Sequence, residues 1–150
     1  YNVTSFQIGV LFAVFGVSRT LVFLQSENIS KIGIRKAISL ALIIQAISLT
    51  GIAYLTSLEF FIILMALMGS TIGIFSPLTL STVSKMTSRG RVGIMIGFTE
   101  AFFGIGMTIG PFIGGVLAES ISASSPYIIV AALSVFMIIP IIRWWPISKQ

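Results

Sequence analysis

Five long stretches of the chain are nearly free of charge and rich in Leu, Ile, Val, Phe, Ala and Gly, with short polar segments between them. They cover roughly residues 5–24, 37–55, 60–83, 92–118 and 126–145. Each is near or above the roughly 20 residues that cross a bilayer as an α-helix. Their ends carry helix punctuation. Ser124 and Ser125 offer a hydroxyl cap followed by Pro126 at the first helical position, and Pro146 closes the last stretch just after the interfacial aromatics Trp144 and Trp145. The pattern predicts an all-α membrane protein with five transmembrane helices.

Composition supports that reading and removes others. Of 150 residues, 56% are hydrophobic and 9% charged, against about 45–50% and about 25% in an ordinary soluble domain. A chain with mean hydropathy +1.09 cannot cover itself with polar surface in water, so its solvent is the lipid bilayer. The net charge of +5 does not point to nucleic acid, because eight of the nine Lys and Arg sit in short clusters at the ends of the apolar runs, as membrane orientation requires. The absence of Cys, His and Asp excludes disulfides, thiolate or imidazole metal sites and a Ser-His-Asp triad. No cofactor, metal or enzymatic role is expected.

The basic residues alternate from loop to loop. Lys31, Arg35 and Lys36 follow the first stretch, Lys85, Arg89 and Arg91 the third, and Arg143 and Lys149 close the fifth. The start of the chain, the loop around Glu59 and residues 119–125 hold none. The positive-inside rule places the basic loops and the C-terminal end in the cytoplasm. The chain then begins outside, without the basic region or cleavage site of a signal peptide, and one additional helix upstream would complete a set of six. Tyr1 is not an initiator Met. The glycosylation-type triplets at Asn2 and Asn28 read as chance.

The densest local signal lies in the fourth stretch, where Gly97, Gly106, Gly110, Pro111, Gly114 and Gly115 spell G-x8-G-x3-G-P-x2-G-G. At about 100° per residue, Gly106, Gly110 and Gly114 form one small-residue ridge. Gly93, Gly97, Ala101, Gly104 and Gly115 lie broadly opposite, so neighbours can approach on two sides. Pro111 removes a helical hydrogen bond and favours a bend. Simple packing accounts for any single pair; the whole string with its proline suggests a functional helix.

This string resembles the fifth-helix signature of major facilitator antiporters, including drug/proton exchangers, and residues 89–93 are similar to the basic turn that precedes it. Looser versions of the string occur in the matching helix of that family's second half. Residues 26–36 are similar to the family's cytoplasmic loop, with Lys31, Gly33 and Arg35 matching in kind. Ser30 stands in place of its acidic residue and Ser26 in place of its first glycine, so the loop's charge relay does not carry over. These departures favour helices eight to twelve over two to six. The resemblance implies a six-helix major-facilitator-type bundle, seen without its first helix, that rocks against the missing transporter half to expose a midplane site alternately. It implies a small-molecule substrate, amphipathic or drug-like, exported across the plasma membrane against a coupling proton. The alternatives are a facilitator importing sugars or other metabolites, and a non-transporting scaffold or channel subunit.

Two charges fall inside the stretches. Arg19 lies about five residues, roughly 8 Å, from the cytoplasmic end of its helix, and Glu100 about eight residues, roughly 12 Å, from the same side. A charge at the bilayer centre costs about 2.5–3.5 kcal/mol on insertion scales, so each should face protein or water unless it reaches the interface. Arg19 is long enough to snorkel. Glu100 is not, and it reads either as a proton-linked or substrate-contacting group or as a structural polar contact. In the third stretch Gly69, Gly73 and Pro77 suggest close packing with a bend, Phe102 and Phe103 read as lipid- or core-facing, and Gln45, Ser48 and Thr50 are expected to bond between helices.

Overall fold

The computed structural model describes residues 4–55 and 57–144. Asn2, Trp145, Pro146 and Lys149, each discussed above, lie outside them. Helix α1 spans Ser5–Leu24, α2 Ser26–Ser30, α3 Ile34–Tyr54, α4 Leu58–Met86, α5 Val92–Ser120 and α6 Ser125–Trp144, with a 3₁₀ turn at Arg89–Arg91 before α5. All but the five-residue α2 are long and apolar enough to cross a membrane.

Local chemistry explains the ends. Thr4 opens α1 with a capping box, its hydroxyl accepting from the Gln7 amide at 3.3 Å while its own amide donates to Gln7 Oε1 at 2.9 Å. Glu59 in the first turn of α4 and Lys85 in its last complement the helix dipole. Gly33 turns the chain into α3 with φ of 98°, a conformation a side chain resists. Helix α3 starts at Ile34, ahead of the apolar run, because Arg35 and Lys36 can extend from a first turn at the interface without entering hydrocarbon.

Helix α3 forms the centre of the bundle. Its Ala37, Ile38, Ala41 and Leu42 pack with Ile74 and Leu78 of α4, and Ile138 and Ile141 of α6 close the cluster. Nearer the other end, Ala46 and Leu49 meet Ala131 of α6. Small residues dominate this contact because, in lipid, close van der Waals approach rather than apolar burial holds helices together. Helix α1 lies on the far side of α4 and approaches it closely. A Cβ at Gly69 would strike the Phe15 carbonyl oxygen, and one at Gly73 would lie 2.6 Å from the Arg19 carbonyl oxygen and 3.0 Å from Val22 Cβ. Residue numbers rise together along that contact, so α1 and α4 run parallel, whereas α3 runs against both α4 and α6.

Several hydroxyls act differently from their sequence reading. Ser48 and Thr50 donate to Ile44 and Ala46 of their own helix, each at 2.8 Å, so the expected interhelical bonds from these two are not what they form. In a dry interior, the carbonyl one turn back is the nearest acceptor. Ser124 and Ser125 do bridge helices. Ser124 donates to the Ala53 carbonyl at the end of α3 (2.9 Å), and Ser125 donates to Leu117 of α5 and to Ser122 (both 2.8 Å).

Candidate functional site

The antiparallel course places Lys31, Arg35, Lys36, Lys85, Arg91 and Arg143 at one end of the bundle, and Glu59 and Glu119 at the other. At the basic end, α2 tucks Ile29 against the α3–α4 core. The Lys31 ammonium donates to Asn28 Oδ1 at 3.0 Å, and Gly33 reverses the chain. Lys31, Gly33 and Arg35 thus bracket one tight turn, with Gly33 supplying backbone geometry rather than charge. Its positive φ was hidden in the sequence, where a glycine in a basic loop has no distinguishing neighbour.

Helix α5 carries the densest motif and is the least covered element. Among its 29 residues none is buried. A Cβ at Gly97, Gly106, Gly110 or Gly115 would meet nothing within 4 Å, and one at Gly114 only Pro126, at 3.8 Å. Both ridges are therefore open along most of their length in this chain. The helix continues through Pro111, which leaves the Met107 carbonyl without its usual intrahelical donor. Thr99 and Thr108 bond back to Met95 and Gly104, both at 2.9 Å.

Glu100 is exposed on α5 and Arg19 exposed on α1. The structure does not join them: among the described residues no hydrogen bond or ion pair reaches either side chain. The Arg19 peptide, by contrast, sits at the α1–α4 contact, its amide and carbonyl facing Gly69 and Gly73. The sequence singled out Arg19 for its charge and passed over its backbone, which takes part in the close α1–α4 contact. Phe102 and Phe103 are 70% and 48% exposed.

An open cleft of about 530 Å³ lies between α3 and α6 and is lined by Ala46, Ile47, Thr50, Ile128, Ala131, Ala132 and Val135. Its one polar side chain, Thr50, is already bonded to its own helix. The cleft suits an acyl chain and offers nothing to orient a polar solute.

A family model described as the Major Facilitator Superfamily matches residues 1–149. A protein of Methanocaldococcus jannaschii named as an uncharacterized MFS-type transporter is 25% identical over 125 residues, which are 83% of this chain and 32% of that protein. The chain thus spans about a third of the length of the curated relative it matches. No solved structure matches.

Proposed function

Since the chain belongs to the major facilitator superfamily, a family of membrane transporters, we propose that it forms most of one half of a proton-coupled secondary transporter that exports small amphipathic molecules. In this reading its helices are the eighth to twelfth of the whole. The basic end faces the cytoplasm, the membrane is the plasma membrane, and the half seen here rocks against another to alternate access.

The observation that carries the proposal is Glu100, an acidic side chain well inside a membrane-length helix, beside a face of bare glycines and without a partner among the described residues. Burial of a carboxylate among apolar groups favours its protonated form, and hydration favours the ion. A group moved between the two as the bundles rock takes up a proton on one side and releases it on the other. Arg19, at similar depth, is proposed as the charge that steadies Glu100 or the substrate when the bundles shift.

Glu100→Gln keeps the shape and hydrogen bonding of the neutral acid and cannot titrate. In the full-length transporter in proteoliposomes, this variant is expected to lose transport driven by a pH gradient while retaining substrate counterflow. Gradient-driven transport that survives the substitution with its pH dependence intact would refute the role given to Glu100.

A further inference from the structure

Among the described cations, Arg19 lies farthest inside a span, and its place is fixed. A Cβ at Gly69 would lie 3.2 Å from the Arg19 amide nitrogen, and one at Gly73 2.6 Å from its carbonyl oxygen, so α4 pins the Arg19 backbone. The side chain is exposed. No ion pair joins it to Glu27, Glu59, Glu100 or Glu119, and these are all the acids of the chain.

Helix geometry opposes escape of this side chain to the nearer interface. In an α-helix the Cα–Cβ bonds tilt toward the N-terminus, and long side chains lie over the residues three and four back. For Arg19 those are Gly16 and Phe15, away from the basic end of the bundle. A Cβ at Gly16 would meet nothing within 4 Å, so the guanidinium leans over a bare gap. At about 100° per residue, Phe12 shares the Arg19 stripe beyond this gap and Phe23 shares it on the other side of Arg19; they are 65% and 46% exposed. The gap opens sideways into a groove of about 420 Å³ lined by Ala13, Gly16, Val17, Thr20 and Leu21. The hydroxyl of that groove, on Thr20, already donates to the Gly16 carbonyl at 2.9 Å.

A cation held at a fixed point beside an apolar groove selects by charge. An ammonium is repelled, and a neutral solute does nothing to offset the cost of keeping a guanidinium inside a span. A carboxylate or sulfonate meets it with paired, charge-assisted hydrogen bonds while an apolar body fills the groove. A phospholipid carries a suitable phosphate, but its headgroup lies at the interface, away from the lean of Arg19. We propose that Arg19 is the anion-binding residue of the transport site and that the substrates are amphipathic anions, with the carboxylate or sulfonate on the guanidinium and the hydrocarbon part over Gly16 toward Phe12. The proposal rests on reading the chain as half of an exporter of small amphipathic molecules and is independent of Glu100 as a proton carrier.

The test measures equilibrium binding to the purified full-length transporter in phosphatidylcholine nanodiscs, without any gradient. The probes are radiolabelled naphthalene-2-carboxylate and decanoate, competed with naphthalene-2-carboxamide and decanamide. Each acid is expected to bind about tenfold or more tightly than its amide, the size of one hydrogen bond to a charged group. Arg19→Gln should abolish that difference and Arg19→Lys retain part of it, which shows that the site still folds. Gly16→Val should weaken acid and amide alike and leave the preference in place. Equal binding of acid and amide by the native protein, a preference that survives Arg19→Gln, or no effect of Gly16→Val overturns the proposal.

A lipid headgroup is the other source of an anion, and native mass spectrometry from mixed micelles of phosphatidylglycerol and phosphatidylcholine separates the two. Native protein and Arg19→Gln are expected to retain phosphatidylglycerol equally. Retention lost with Arg19→Gln would place a lipid phosphate on the guanidinium and overturn the proposal. Because binding is read without transport, an acid preference without gradient-driven efflux would leave the anion site standing and refute the exporter reading. Proton-driven efflux of neutral amphipathic molecules with no acid preference would do the reverse.

Discussion

Gly69 and Gly73 show how far a single hydrogen in place of a methyl group can decide packing. The backbone of α1 passes so close to both that a Cβ at either would press on a carbonyl oxygen, and carbonyls cannot move aside as the tip of a flexible side chain can. Gly73→Ala should push α1 off α4 and destabilise the bundle by about 1–3 kcal/mol, the range of overpacking substitutions. The measurement is the thermal midpoint of the purified transporter in detergent, with Gly97→Ala as the comparison, since its added methyl meets no atom of this chain within 4 Å. An unchanged midpoint for Gly73→Ala would show that the α1–α4 approach is looser than described. Gly51 is a milder case, because a Cβ there would meet Leu64 Cδ2 at 2.8 Å, and a leucine tip can rotate away.

At the scale of the element, α5 differs from its neighbours in how it is held. Within this chain its C-terminal end is tied down by Ser125, which donates to the Leu117 carbonyl, and by Gly114 against Pro126. Most of its length has no close neighbour. A Cβ at Gly110 meets nothing within 4 Å among the described residues, so a strong effect of a larger side chain there would point to a helix or substrate beyond these residues. Gly110→Leu is expected to insert normally yet to reduce transport severely, read as initial uptake into inverted vesicles alongside the amount of protein in the membrane. Near-normal uptake would reduce the glycine string to local packing without a role in the transport cycle.

Across the whole molecule, the parallel and antiparallel courses of the helices collect the described basic side chains, Arg19 apart, at one end. The positive-inside rule then gives an orientation that single-cysteine labelling can read in this cysteine-free segment. In intact cells an impermeant maleimide should label Glu119→Cys and leave Lys85→Cys unmodified until the membrane is opened. Labelling of both from outside would reverse or break the proposed topology. The orientation matters for mechanism, because it sets the side of the membrane nearer to Glu100.

The amino-acid sequence alone determined the five spans and the all-helical class, because the cost of placing an apolar or a charged side chain in hydrocarbon is local and adds along each segment. It also contained the glycine string that resembles the transporter family. Only the tertiary structure decided which glycines are contacts. Gly69 with Gly73 and Gly106 with Gly110 have the same spacing, yet the first pair receives the backbone of α1 and the second receives nothing among the described residues. Likewise, Ser48 turned back on its own helix while Ser124 crossed to α3. Spacing along a helix specifies a face, and what that face meets depends on where the other helices lie.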